Sequence, residues 1–145
     1  MLSNEDFPDV RGDAATVLEW LRGHADWVAA FYPSEARDDE RVFRHVLLIA
    51  LNHESSEIRG EALEVLQCSL EKHDTAHLFA RPIAENLARF QGEELLTALS
   101  IIGLSCDPSL AGYLIPFLAN DDPHVRSAAL ESTFDLEAIR RNTQP

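Results

Sequence analysis

Lysine is almost missing from this chain. Lys72 is the single one among 145 residues, against eleven arginines and 25 acidic residues, and the formal net charge is −13. A field of that sign repels phosphate backbones and anionic lipid, so neither nucleic acid nor a membrane is the expected partner. It attracts cationic proteins. Long apolar runs are also missing. The longest, VLLIAL at Val46–Leu51, falls far short of the ~20 residues that span a bilayer. The N-terminal MLSNEDFPDV has neither a basic stretch nor an apolar run, so no secretion leader is expected and the cytoplasm is the expected location. Glycine and proline are sparse, at six and seven, which argues against long flexible linkers. The two cysteines, Cys68 and Cys106, fall in apolar helical contexts and read as buried thiols rather than a disulfide or metal pair. There is no Gly-rich phosphate loop and no Gly-x-Ser-x-Gly elbow. No catalytic set or cofactor site is therefore expected.

What is present is apolar spacing at helical period. Apolar residues make up 46 % of the chain, enough for one domain over 1–145 with a real core. Val17, Leu18, Leu21, Val28 and Phe31 predict a first helical region from about Asp13, its N-cap, to Tyr32, with Pro33 ending it and Gly23 as a candidate break. Val42, Phe43, Val46, Leu47 and Ala50 predict a second helix, Asp39–Leu51. A third runs Ser56–Lys72. A fourth, Thr75–Phe90, contains Pro82, which should kink it or split off its first turn. Gly92 reads as the C-terminus of that helix, before a fifth at Glu93–Leu104. Asp107-Pro108 and Asp122-Pro123 each open a further helix, acid as cap and proline at the first position. Period-two alternation is absent, so the fold class is all-α.

The chain also repeats itself. LNHESSEIRGEALEVL (Leu51–Leu66) lies over LANDDPHVRSAALEST (Leu118–Thr133), pairing Leu51 with Leu118, Ile58 with Val125, Arg59 with Arg126, Ala62 with Ala129 and Leu63 with Leu130, at a constant offset of 67. A degraded middle copy, ELLTALSII, puts Leu95 in the place of the arginine. The chain thus divides into helix pairs Asp39–Lys72, Thr75–Leu104 and Asp107–Arg141, with residues 1–36 as an N-terminal helical cap, 37–141 as repeats and 142–145 as a tail.

A turn acid, then Val/Ile-Arg, then Ala-Leu on the second helix of a pair resembles the HEAT repeat. The short period is similar to the HEAT-like repeats named after phycobilisome lyases. The resemblance covers about Asp39–Arg141. It implies a right-handed α-solenoid of about three helix pairs with second helices lining the concave face. It also implies that the turn acid and the arginine join neighbouring repeats: Asp122 (or Asp121) and Arg126 in the last, Glu54 and Arg59 in the first. Physics is consistent with stacking, because one helix pair cannot bury its apolar face alone.

Glu57, Glu61, Glu64 and Glu71 follow spacings of 4, 3 and 7, which puts them on one side of the third helix. Like charges at i,i+4 cost a helix ~0.2–0.5 kcal/mol per pair, and no lysine offsets them here. The repeat alignment places Glu93, Thr97 and Ser100 at the equivalent positions of the next second helix. His124, Ala128 and Glu131 take them on the last, with Ser127 and Asp135 nearby. The expected binding surface is therefore Glu57, Glu61, Glu64, Glu93, Thr97, Glu131 and Asp135, and the expected partner is a basic protein. The expected function is a non-enzymatic protein-binding module, an acidic inhibitor such as an immunity protein that neutralises a cationic toxin. A HEAT-like scaffold or adaptor, or a bilin-lyase-like subunit, is the alternative. In KHDTAH, His73 and His77 have metal-ligand spacing, but Asp74 reads as a helix cap and no third ligand is near, so no metal is expected. His45, His53 and His124 sit at helix ends or turns and read as solvated. Trp20 and Trp27, seven apart, read as cap packing. FYPSEARDDE (Phe31–Glu40) is the polar connection long enough to act as a contact loop.

Overall fold

Helices form almost wherever the apolar spacing asks for them. The computed structural model describes residues 7–29, 40–72 and 75–143. Among these the fold is all-α, with no strand. Six α-helices run in order: α1 Ala14–Ala29, α2 Glu40–Asn52, α3 Ser56–Lys72, α4 Ala80–Glu85, α5 Gly92–Leu104 and α6 Pro123–Thr143. Short 3₁₀ segments at Ala76–Leu78 and Leu87–Arg89 flank α4, and a longer one spans Pro108–Ala119. The stretch from Ala30 to Asp39, with its loop acids and Pro33, lies outside the described residues, as do His73, Asp74 and the side chains of Trp27 and Glu71.

Caps set several boundaries. The Asp13 carboxylate accepts the Thr16 N–H at 3.2 Å and starts α1. Asp122 accepts the His124 N–H at 2.9 Å and starts α6. Asp107 accepts the Ser109 N–H at 3.0 Å. Each such cap contributes about 1 kcal/mol by satisfying an orphan donor. Arg140 and Arg141 occupy the last turn of α6, where cations suit the helix dipole.

Four expectations need correction. Gly23 does not break α1, which runs on through it; one glycine costs a helix about 1 kcal/mol, less than packing supplies. The helix expected over Thr75–Phe90 is three short pieces. Pro82 does split off the first turn, as expected: Ala76–Leu78 is separate from α4, because Pro82 has no N–H for the Leu78 carbonyl. It is the third residue of α4, where its missing N–H costs α4 no intrahelical bond. The breaks fall at Phe79 and Asn86, whose side-chain amide donates to the Pro82 carbonyl at 2.7 Å. Gly92 begins α5, with φ +59, instead of ending the helix before it. The helix after Asp107 is 3₁₀, not α; Pro116 has no N–H for an i−4 bond and its ring crowds that carbonyl.

One continuous core runs from Val17 in α1 to Leu136 in α6. α1 and α2 both pack on α3; α3 packs on α5, α5 on α6, and α6 on the Pro108–Ala119 segment. Val42, Phe43, Val46, Leu47 and Ala50 of α2 are buried. The Phe43 and Phe79 rings lie near-parallel with centroids 6.2 Å apart. α5 and α6 approach closely at Gly103, where a Cβ would lie 2.7 Å from Ser132 Oγ. Ser132 Oγ in turn donates to the Leu99 carbonyl at 2.8 Å.

Two histidines pin the N-terminal segment to α2. His45 Nε2 meets the Pro8 carbonyl at 2.6 Å, and His53 Nε2 meets the Gly12 carbonyl at 3.0 Å. His53 is buried and its Nδ1 accepts the Ser55 N–H at 3.0 Å. Neither is solvated as the sequence implied, because residues 7–12 fold back over them. Phe7, Trp20 and His45 form an aromatic cluster, with Trp20–His45 centroids 5.1 Å apart. Trp20 Nε1 is buried there without a partner among the described residues.

Burial in that cluster pushes the His45 pKa below its ordinary 6.5, outweighing the Pro8 hydrogen bond and the Asp9 charge, which raise it. The folded protein then binds fewer protons than the unfolded chain just below 6.5. His45 therefore supports the fold fully above that pH, and its support declines as pH falls through the lowered value. Thermal melts between about pH 7 and pH 5 should show a smaller acid loss for His45→Gln than for the native chain. An equal loss in both would rule His45 out as a source.

Candidate acidic binding cleft

The repeat extends to individual hydrogen bonds. Arg59 Nη1 donates to the carbonyls of His53 at 2.7 Å and Glu54 at 2.9 Å. Arg126 Nη1 donates to those of Asn120 at 2.7 Å and Asp121 at 3.2 Å. Donors and acceptors all differ by 67 positions, so each arginine staples the turn before its own helix. Arg59 does more. Its Nε and Nη2 grip both oxygens of Glu94 on α5, each at 3.1 Å, with side chains 20 % and 2 % exposed. Glu94 also accepts the Gln91 N–H at 3.0 Å, which holds the start of α5. Arg59 thus links α3 to α5, whereas the bonds of Arg126 and Asp122 stay within their own turn. Glu54 takes part through its carbonyl, not its carboxylate.

That clamp sets the spacing of a cleft between α3 and α5. Glu57, Glu61 and Glu64 from α3, and Glu93 and Thr97 from α5, line an open hollow of about 430 Å³. Glu57, Glu64 and Glu93 are exposed and Glu61 half-buried. Arg22 of α1 reaches Glu61 at 3.8 Å, a loose exposed pair of the kind that contributes little. The Thr97 hydroxyl donates to its own helix, to the Glu93 carbonyl at 3.2 Å. Glu131 and Asp135 line a separate, smaller hollow between α5 and α6, with Ser100 and Leu104 on the facing helix. The seven residues singled out by spacing therefore fall into two groups on either side of α5. Gln67 of α3 donates to Ser100 Oγ at 2.8 Å between them.

The structure adds features that spacing did not show. Glu94 looks like one more acid of the stripe, yet it is buried and spoken for. Its signal was the acid three residues into a helix after Gln91, the pattern of a helix start. A basic hollow lies on the turn edge, where Arg11, Arg59 and Arg89 gather beside His53; Arg89 Nη1 there donates to the Leu51 carbonyl at 3.2 Å. Both cysteines are exposed, which corrects the expectation of buried thiols. Cys68 falls on the cleft flank of α3, one helical turn after Glu64. Cys106 follows the end of α5 with φ 58, a left-handed position that carries its side chain away from the core. His77 is exposed, and the described residues hold no group of three or more candidate metal ligands.

No described helix is long and apolar enough to cross a membrane. Comparison with family models, with curated proteins and with solved structures gave no match.

Proposed function

We propose that this chain is a non-enzymatic protein-binding module, an acidic inhibitor of the immunity type that docks on a basic protein partner. In this reading its helix pairs stack as a short right-handed HEAT-like solenoid in the cytoplasm. One observation supports it most: Glu57, Glu61, Glu64 and Glu93 converge on a single open cleft. Four carboxylates so placed repel one another, and beyond the loose Arg22 pair with Glu61 it is water or a cationic ligand that screens them. A lysine- or arginine-rich groove on a toxin such as a nuclease, built to hold phosphate, presents the matching charge. The mechanism is occlusion: the glutamates take the places of phosphates, and the net charge of −13 steers the encounter.

Binding should therefore be fast and salt-sensitive. Basic proteins encoded by neighbouring genes are the partners to test, by stopped-flow association at two salt concentrations. Glu61→Lys/Glu64→Lys should weaken affinity about tenfold or more, chiefly through the association rate, and flatten the salt dependence. Affinity unchanged by that reversal would sink the acidic-cleft model.

A further inference from the structure

Among the described residues, the most exposed large apolar side chains lie toward the C-terminal end. Phe134 is 61 % exposed and Leu130 47 %, with Ile115 at 65 % on the preceding segment. On α6, Arg126, Leu130, Phe134 and Glu137 recur at spacings of 4, 4 and 3, which puts them on one face. The internal repeat says what that face is for. The counterparts of Arg126, Leu130 and Phe134, 67 positions earlier, are Arg59, Leu63 and Gln67. There Arg59 holds Glu94 and Gln67 holds Ser100, both on α5, and Leu63 is fully buried. This side of a second helix is built to receive another helix. On α6 no described helix covers it. Arg126 repeats the two carbonyl bonds of Arg59, but its Nε and Nη2 have no partner among the described residues.

We propose that a second copy of this chain covers the face, α6 against α6, antiparallel about a two-fold axis. Charge complementarity favours this occupant. Asp121 and Asp122 stand at the start of α6, and Arg140 and Arg141 in its last turn. Antiparallel contact sets each acidic end beside a basic one. With the axis midway between Leu130 and Thr133, Arg126 faces Glu137 of the second copy. Glu137 then supplies the carboxylate that Glu94 supplies to Arg59. Its present bond, to Arg140 at 3.8 Å, is an exposed pair that exchanges at little cost. Leu130 and Phe134 fill the centre of a self-complementary contact, the isologous form that closes at two subunits. Glu131 and Asp135 lie on the other flank of α6, toward α5, so the dimer is independent of the cleft and its proposed partner.

Sedimentation of the full 145-residue chain at physiological ionic strength tests this, since salt must screen the net charge. A reversible dimer is expected across the micromolar range. Phe134→Glu should weaken it about tenfold or more, with an unchanged helical circular dichroism spectrum. Arg126→Glu and Glu137→Arg should each weaken it, and the two together should restore it. A monomer at every concentration overturns the proposal, as when the face takes a different occupant. So does a dimer indifferent to Phe134→Glu, or a double swap no tighter than either single change.

Discussion

Arg59→Ala is expected to destabilise the fold by about 3–5 kcal/mol, because it leaves a buried carboxylate without its counter-ion. Glu94 is 2 % exposed as a side chain and takes the two remaining nitrogens, Nε and Nη2, of the Arg59 fork. Without them it keeps, among the described residues, only the Gln91 N–H, too little to offset desolvation. Removing both partners should cost less than the sum of the single changes, since Arg59→Ala/Glu94→Ala leaves no unpaired charge. The molecule holds its own control. Arg126 makes the same two carbonyl bonds but is exposed and grips no carboxylate among the described residues. Arg126→Ala should cost only about 1 kcal/mol, the net contribution of a hydrogen bond or two near the surface. Urea unfolding of the native chain and these four variants (Arg59→Ala, Glu94→Ala, the double change and Arg126→Ala) measures this. If Arg59 and Arg126 cost the same to remove, the stapled turn and not the Glu94 clamp is what matters.

The second large effect is expected at Gly103. A Cβ there would lie 2.7 Å from Ser132 Oγ, 2.9 Å from its Cβ and 3.0 Å from its Cα. The last of these is backbone and does not swing aside. α5 and α6 would have to separate, and such overpacking costs about 1–3 kcal/mol. Alanine gains about 1 kcal/mol over glycine in a helix interior, so the clash must exceed that for the variant to be less stable. Gly103→Ala should therefore lower the melting temperature, and adding Ser132→Gly should recover part of the loss. A Gly103→Ala protein at least as stable as the native one would mean that α5 and α6 are not held this close.

The contrast between these sites shows where the sequence was readable. The offset of 67 was visible from Leu51 to Leu66 against Leu118 to Thr133, and it carried through to the carbonyls bound by Arg59 and Arg126. Local rules placed the Asp13 and Asp122 caps, and helical period placed the buried face of α2. The histidines show the limit. His45 and His53 sit at ordinary solvated-looking positions, and only the return of residues 7–12 buries them. The same holds for the acids. Glu93 and Glu94 are neighbours in the chain with the same charge and both border the cleft, yet Glu93 is exposed there and Glu94 is buried against an arginine. Position on a helix says which way a carboxylate points; it does not say what stands opposite.

By itself, then, the sequence determined the all-α class, the bounds of α2, α3 and α5 to within about one residue, the repeat, and the acidic side of α3. Those follow from periodicity, caps and charge, all of which act over a turn or two of helix. Tertiary structure alone decided the rest. It split the stripe of acids into a cleft and a separate hollow, spent Glu94 on Arg59, required glycine at 103, and left one side of α6 without a described neighbour. Each depends on which surface meets which between residues far apart in the chain, 35 positions for Arg59 and Glu94 and 41 for His53 and Gly12. Burial, pairing and close approach are properties of two surfaces at once, and a linear pattern describes only one of them.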